Sequence, residues 1–303
     1  MNTRRDPGHG LLGATLVATS AVLFGVVVVL GKVAMREGLP VFSTLALRYG
    51  SSALCLVVVL ALGGKSFRPA QGEWLWVFFL GAIGYAFESS MFFSALQHGT
   101  AAAVTLLFYV YPVIILAASI ALGRGKPDAR LLSSLGLAVG GAALVVLSGG
   151  GVEIETIGVF FALCSATAFS GYVLGAEYAL RRTSPFTSSL WVCIGATVGC
   201  ATFASFSGQL ELPADGDAWI NVAWMGIASA FAFITMLSGL RMVGAVKTSI
   251  ISSMEPLAAA FLGFVMLGES MGVGTVAGGA LILAGAIGAS LARPLQRPEP
   301  SIP

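Results

Sequence analysis

The sequence predicts an all-α polytopic membrane protein of ten transmembrane helices, arranged as two inverted five-helix repeats with both termini in the cytoplasm. Three observations lead to this prediction: an apolar composition, ten long apolar runs, and an internal repeat at an offset of 145 residues. Apolar residues make up 57% and charged residues 10% of the 303 residues, whereas about 25% of a soluble domain is charged. A soluble protein with so few charges could not cover its surface with solvated groups, so we place the chain in a bilayer.

The apolar runs give the span limits, because each has about 20 residues or more and can cross a hydrocarbon core roughly 30 Å thick. Gly, Pro and charged residues separate runs at 11–36, 40–63, 73–97, 99–123, 130–149, 156–180, 185–208, 217–241, 244–268 and 271–292. The first run is too long for the apolar region of a signal peptide and is expected to remain as a helix. We predict repeats at 11–149 and 156–292, with cytoplasmic tails at 1–10 and 293–303.

The Lys and Arg residues indicate the orientation, because cytoplasmic loops of membrane proteins carry an excess of both. With the N-terminus inside, 13 of the 16 basic residues fall in cytoplasmic segments. Lys32 and Arg36 then lie at the outer face, and Arg48 lies within a span. The opposite orientation would reverse this bias, so both termini are predicted to be cytoplasmic.

The repeat is visible as identities at a constant offset. Matched pairs at 145 residues include Ser20/Ser165, Phe24/Phe169, Arg36/Arg181, Pro40/Pro185, Trp74/Trp219, Gly81/Gly226 and Gly99/Gly244. Pro112 and Pro256 align within one residue of the same offset. Because each half has five helices, the second half must enter the membrane from the opposite side. Inverted repeats of this kind are typical of secondary transporters, which bind substrate near the bilayer midplane between the repeats.

The proline-containing segments carry a resemblance to a known family. Residues 253–259 (SMEPLAA) with 267–269 (LGE), and residues 111–112 (YP) with 122–124 (LGR), resemble the drug/metabolite transporter superfamily in its ten-helix EamA-type branch. The Arg at 124 departs from the Glu of the family pattern. The resemblance covers nearly the whole chain and looks closest to bacterial aromatic amino-acid and paraquat exporters.

This resemblance implies a secondary transporter of the bacterial inner membrane that exports small metabolites by alternating access. Amino acids, aromatic or neutral, are the expected substrates. Cationic drugs or other metabolites remain an alternative, as does a passive channel or facilitator. The expected partners are the small-molecule substrate and the lipid bilayer, with the protein a monomer or a homodimer.

Ionisable side chains within the spans are the first candidates for function, because each costs at least about 2.5 kcal/mol in a bilayer. Arg48 and Glu88 lie at similar depths, roughly 12 and 14 Å from the outer ends of their spans. They are predicted to form an ion pair that is either structural or in contact with substrate. Glu255 meets a substrate ammonium or a proton, or else bonds the broken backbone of a neighbouring helix. Pro256 and Pro112 are predicted to kink their helices and act as hinges.

The remaining candidate cavity residues are hydroxyl and aromatic side chains of the same spans. They are Phe24, Tyr85, Ser89, Tyr109, Tyr111, Phe169, Tyr172, Ser252 and Ser253. Aromatic walls suit substrates with apolar or aromatic side chains, although such rings also pack helices together or face lipid. The Gly pairs 136/140, 195/199 and 274/278 permit close approach of helix backbones, between the halves or across a dimer.

The sequence offers little for other function classes. No Asp lies within a span, and the two His residues lie in the tail and at a helix end, so neither an enzyme nor a metal site is expected. The four Cys residues lie in apolar runs without a C-x-x-C pair, which indicates packing residues. A Gly-rich phosphate loop is missing, so ATP-driven transport is not expected. No cofactor and no nucleic acid partner are predicted.

Overall fold

The computed structural model describes residues 7–99, 101–148, 154–267 and 272–292, and this part of the chain is almost entirely helical. Its helices are α1 (Pro7–Arg36), α2 (Val41–Leu62), α3 (Trp74–Phe79), a π-helical segment (Leu80–Tyr85), α4 (Ala86–Leu96), α5 (Ala101–Phe108), α6 (Tyr111–Ala121), α7 (Ala129–Ser148), α8 (Thr156–Ala179), α9 (Pro185–Phe206), α10 (Gly216–Val243), α11 (Ala245–Ser252), α12 (Glu255–Leu267) and α13 (Val273–Leu291). The all-α prediction is confirmed for these residues. The predicted C-terminal tail, residues 1–6 of the N-terminal tail and Gly268–Glu269 of the motif lie outside them.

Eight helical segments of the described chain are long and apolar enough to cross a membrane. They correspond to α1, α2, the run from α3 through the π-helical segment into α4, α7, α8, α9, α10 and α13. The predicted spans 99–123 and 244–268 are instead each formed by two short helices, α5 with α6 and α11 with α12. The ten-helix count therefore stays a prediction that depends on these two interrupted segments.

Both interruptions lie next to a proline. α6 begins at Tyr111, directly before Pro112, and α12 begins at Glu255, directly before Pro256. Proline has no backbone N–H, so the carbonyl four residues earlier loses its helical hydrogen bond. The interruptions thus occur where the sequence predicts kinks, while the hinge role of the prolines stays a prediction.

Helices of the first predicted repeat pack mainly against helices of the second. α1 packs along α10, α2 along α9, α4 along α8, and α7 along α13. The contact of α7 with α13 is close because Gly141 and Gly278 face each other. A Cβ on either glycine would lie 2.6 Å from the carbonyl oxygen of the other. Each of these four pairs therefore contains one helix from each predicted repeat, so the two repeats pack against each other along the molecule.

The predicted glycine pairs behave differently from one another. A Cβ on Gly195 or Gly199 would clash with a backbone carbonyl oxygen of the third membrane segment, so this pair brings α9 against that segment. Gly274 likewise abuts α7, whereas a Cβ on Gly136 or Gly140 would meet no atom of the described chain within 4 Å. Two of the three pairs thus pack helices of opposite halves, and one faces open space.

Candidate functional site

A continuous cluster of aromatic rings occupies the centre of the helix bundle. This central aromatic cluster consists of Phe24, Tyr49, Tyr85, Phe108, Tyr109, Tyr111, Phe169, Tyr172 and Phe233, with neighbouring ring centroids 4.8–6.4 Å apart. Six of these rings were predicted as cavity residues from the sequence. The structure brings those six together from both halves, and most contacts are edge-to-face, the arrangement that aromatic quadrupoles favour.

Tyr85 joins the two sides of the cluster. Its ring lies 4.8 Å from that of Tyr172 and 5.2 Å from that of Phe233, so it contacts α8 and α10 together. Tyr85 is the last residue of the π-helical segment, and π-helical turns of this kind occur frequently at functional sites. The segment can approach α9 closely because Gly81 lies directly against the backbone of Val192.

Arg48 lies on the edge of the central aromatic cluster with part of its guanidinium unused. Its Nε donates to Ser229 Oγ at 2.8 Å. The guanidinium carbon lies 4.8 Å from the ring centroid of Tyr49 and 5.8 Å from that of Phe24. The terminal N–H groups donate to no residue that the structure describes. Arg48 is therefore a cation held by one serine, and its two terminal nitrogens, which can bind a carboxylate in bidentate fashion, have no partner among the described residues.

Glu88 is buried nearby and is held by hydroxyl groups. It accepts from Ser89 Oγ at 2.9 Å and from Ser165 Oγ at 3.3 Å, and Ser89 Oγ lies 3.1 Å from the Tyr49 hydroxyl. Both side chains bond serine partners, and the contacts described include no direct ion pair between Arg48 and Glu88, which stays a prediction. The two charges remain near enough to interact electrostatically, so their coupling stays a prediction.

Glu255 stands at the start of α12, beside the interruption. Its side chain is half-buried, and its carboxylate makes no hydrogen bond with any described residue. The predicted alternative, a bond to the broken backbone of a neighbouring helix, is therefore not seen within the described chain. The carboxylate of Glu255 interacts electrostatically with Arg48. It also interacts electrostatically with Tyr109 and Tyr111.

The two interrupted segments contact each other across the halves. The Tyr111 hydroxyl donates to the Ser249 carbonyl oxygen at 3.3 Å, which connects the start of α6 to α11. Ser252, at the end of α11, is half-buried and also lies beside the Tyr111 hydroxyl. Ser253 is fully buried and donates to the Ser249 carbonyl at 3.4 Å. Of these two predicted serines, Ser252 is thus the one that remains partly accessible.

A second polar contact closes one end of the bundle. Glu177, near the end of α8, accepts from the Arg124 guanidinium and, at 3.0 Å, from the backbone N–H of Ala245. These three residues, the Glu177 clasp, connect the chain after α6, the end of α8 and the start of α11. The clasp therefore joins both interrupted segments at one end of the molecule.

Sequence reasoning missed Tyr49, Phe108, Ser165, Ser229 and Phe233. A usable signal existed for two of them, because Phe108 and Phe233 lie at an offset of 145 from the predicted site residues Ser253 and Glu88. For the others, the sequence gives the depth in the membrane but not the side of the helix that faces the centre.

Comparisons with known proteins place the chain in a family of transporters. The family model described as the EamA-like transporter family matches the chain twice, over residues 11–147 and 156–291. The uncharacterized transporter YwfM of Bacillus subtilis is 25% identical over 287 residues, 91% of this chain and 93% of that protein. The uncharacterized inner membrane transporter YicL of Salmonella typhimurium is 26% identical over 213 residues, 66% of this chain and 67% of that protein.

A solved crystal structure illustrates the shared fold. It superposes with a TM-score of 0.75 at 21% sequence identity and covers 92% of this chain and 96% of its own. The fold, the membrane-spanning helices and the two family matches agree with one another. The chain therefore belongs to the EamA-like transporter family and is a multi-pass membrane transporter of small molecules, not an enzyme.

Proposed function

We propose that this protein exports amino acids, aromatic or neutral, from the cytoplasm by alternating access around the central aromatic cluster. The observation that carries the proposal is a pair of opposite charges without full hydrogen-bond partners beside aromatic rings. Among the residues described, none bonds the terminal N–H groups of Arg48 or the carboxylate of Glu255. A zwitterion with an apolar side chain complements both charges and the rings.

Each part of such a substrate has a matching group. An Arg guanidinium binds a carboxylate through two parallel hydrogen bonds, so Arg48 receives the substrate carboxylate. Glu255 receives the ammonium, and the rings of the cluster stack on the side chain. A buried charge without a partner is costly, so a ligand that supplies both partners is stabilised in this site.

The ten-span inverted repeat is supported by the reciprocal packing of the halves. The two family matches are of nearly equal length. Gly81 abuts α9 and its counterpart Gly226 abuts Ser51 of α2, so each third segment meets the second helix of the opposite half. The interruptions before Pro112 and Pro256 occur at matching positions. Interrupted helices at the interface of two repeats are the usual place for a transporter's substrate.

Contacts between the connections support the number of crossings. At one end, the Ala70 N–H of the α2–α3 connection donates to Thr183 Oγ1, just after α8. The Glu177 clasp, near the end of the same helix α8, lies at this end as well. At the other end, the Glu155 N–H donates to the His98 carbonyl oxygen, joining the α4–α5 connection to the start of α8. This alternation is what ten crossings require.

The distribution of charge supports the predicted orientation, and the name of one relative supports the predicted location. The end that carries the Glu177 clasp is the one rich in Lys and Arg, so it is cytoplasmic by the positive-inside rule. Both termini then lie in the cytoplasm. A bacterial inner membrane location fits the name of the Salmonella relative.

Export of organic cations is the second candidate function. Two carboxylates, Glu88 and Glu255, lie near the rings, where they outnumber the one positive charge of Arg48. Aromatic rings also bind cations through their faces. A cation would meet Glu255 without needing the free face of Arg48. The behaviour of Arg48 variants therefore separates the two substrate classes.

Counterflow in proteoliposomes tests the proposal. Vesicles loaded with one aromatic amino acid should accumulate its labelled form, and a panel of neutral amino acids and organic cations defines the class. Arg48→Gln and Glu255→Gln should each lose amino-acid counterflow, while Arg241→Gln, an exposed cation of α10, should keep it.

Three results would contradict the proposal. Counterflow of cations that survives Arg48→Gln favours the second candidate function. Flux without counterflow indicates a passive channel. Normal amino-acid counterflow at all pH values in Glu255→Gln shows that this carboxylate neither holds the ammonium nor carries a coupled proton.

A further inference from the structure

A cleft of about 570 Å³ opens at the proposed cytoplasmic end, away from the central aromatic cluster. It lies between the α2–α3 connection, residues 63–73, and the turn from α8 into α9. Its polar lining consists of Lys65, Ser66, Arg68, Arg182, Thr183, Ser184 and Thr187. Nothing in the transport proposal uses these groups.

The walls of the cleft are fixed by hydrogen bonds between the two connections. The Ala70 N–H donates to Thr183 Oγ1 at 3.1 Å, and Thr187 Oγ1 donates to the Ser66 carbonyl oxygen at 2.7 Å. These bonds join segments more than 100 residues apart in sequence. The cleft is therefore a built feature of the fold.

Its charge is positive. Lys65, Arg68 and Arg182 line it, and the acidic group beside them is Glu73. The Glu73 carboxylate accepts from Thr183 Oγ1 at 2.5 Å and lies 3.8 Å from Arg182 Nε. One carboxylate against three cations leaves an excess of about two positive charges, so the cleft favours an anion.

Exposed apolar side chains adjoin the cleft-lining residues in the sequence. Leu62 is 85% exposed, Trp74 50% and Phe67 40%. Trp191 donates its indole N–H to the Phe67 carbonyl oxygen at 2.8 Å, and its ring lies 6.3 Å from that of Trp74. Tryptophan rings are enriched at the membrane–water interface. The cations thus lie at the depth of lipid headgroups, next to a surface suited to acyl chains.

The other half of the chain provides an internal comparison. The counterparts of Lys65, Arg68 and Arg182 at the 145-residue offset are Leu210, Pro213 and Glu37. The equivalent positions, at the opposite end of the molecule, therefore lack all three cations. The repeat alone thus does not require the cationic lining.

We propose that the cleft binds the headgroup of an anionic phospholipid, with its phosphate between Lys65, Arg68 and Arg182. Basic pockets between helices on the cytoplasmic side of membrane proteins bind such headgroups. A free phosphate ion would leave most of the 570 Å³ empty, whereas a phosphoglycerol headgroup fills more of it. Its acyl chains would lie along the exposed surface of Leu62 and Trp74.

Lipid binding to the purified full-length protein tests this site. Native mass spectrometry in detergent, with phosphatidylglycerol and phosphatidylcholine supplied at equal concentration, should show preferential retention of phosphatidylglycerol. The triple variant Lys65→Gln/Arg68→Gln/Arg182→Gln should weaken that retention at least tenfold. Because the triple change removes the contact of Arg182 with Glu73, Arg68→Gln alone is measured as well; it should weaken retention several-fold without affecting the fold.

A matched triple variant gives the control. Lys126→Gln/Arg130→Gln/Arg241→Gln removes three exposed cations of the same proposed face and should leave lipid retention unchanged. Equal losses in the two triple variants would show a general surface-charge effect and overturn the site. So would equal retention of both lipids, or displacement of phosphatidylglycerol by millimolar inorganic phosphate. Transport by the Arg68→Gln variant tests the proposed function separately, and its result does not decide whether the cleft binds lipid.

Discussion

Removing the charge of Glu177 should open the proposed cytoplasmic end of the transporter. Its carboxylate accepts two hydrogen bonds, from the Arg124 guanidinium and from the Ala245 N–H. The side chains of Arg124 and Glu177 are 27% and 23% exposed, so solvent screens the pair only in part. In alternating access the start of α11 must separate from the ends of α6 and α8 when this end opens.

The size of the effect follows from these contacts. A hydrogen bond to a charged group contributes about 1.5–3 kcal/mol when buried, and partial exposure reduces this. Glu177→Gln keeps an acceptor for Ala245 and loses the ionic bond, so we expect a loss of about 1–2 kcal/mol. Glu177→Ala loses both bonds, or about 2–3 kcal/mol. These free energies correspond to roughly 5- to 150-fold shifts in the population of the open state.

Labelling of a cavity thiol from the cytoplasmic side measures this population. Ser252→Cys places a reporter at the partly accessible serine, in a background where the half-exposed Cys55 and Cys164 are replaced by serine. Cys193 and Cys200 are fully buried and are left in place. In inverted membrane vesicles, an impermeant maleimide should label the reporter roughly 5- to 30-fold faster in the Glu177→Gln variant.

The contact between His98 and Glu155 at the other end is the control. His98 Nδ1 lies 3.0 Å from Glu155 Oε2, and Glu155 is 71% exposed. Glu155→Gln should not accelerate labelling from the cytoplasmic side. If Glu177→Gln and Glu177→Ala both label at the rate of the parent, the Glu177 clasp does not hold the closed state and the reasoning is refuted.

Three further predictions address the site, the packing and the interrupted helices. Arg48→Lys should lose most amino-acid counterflow, because a lysine cannot keep both the serine bond and a bidentate face; normal counterflow would reject carboxylate binding there. Gly81→Ala should lower the free energy of unfolding in detergent by about 3 kcal/mol, since its Cβ would collide with the α9 backbone. Gly136→Ala, whose Cβ would meet no described atom, should raise the free energy of unfolding by about 0.5–1 kcal/mol. Pro112→Ala and Pro256→Ala should slow exchange more than they weaken binding, and wild-type exchange in both would remove the hinge account.

The sequence predicted those features that depend on position along a helix. The apolar runs predicted the helical segments, and Pro112 and Pro256 predicted the interruptions. Both features depend only on nearby residues: the hydropathy of the run, and the missing N–H of the proline. The serine partners of Arg48 and Glu88 could not be predicted, because a rise of about 1.5 Å per residue fixes depth but not direction. Direction depends on how helices pack, and packing places Ser229 beside Arg48.

The repeat has diverged where the halves meet at the proposed substrate site. Glu88 faces Ser165 of α8, whereas its counterpart Phe233 faces Phe24 of α1 with ring centroids 5.5 Å apart. Arg48 has the apolar Cys193 as its counterpart. These positions of the two halves therefore carry different side chains at the centre, although the backbone pairing is reciprocal. A substrate whose opposite charges meet Arg48 and Glu255, as proposed, would bind in one orientation only. We therefore expect the shared elements of the halves to provide the motion and the diverged residues to select the substrate.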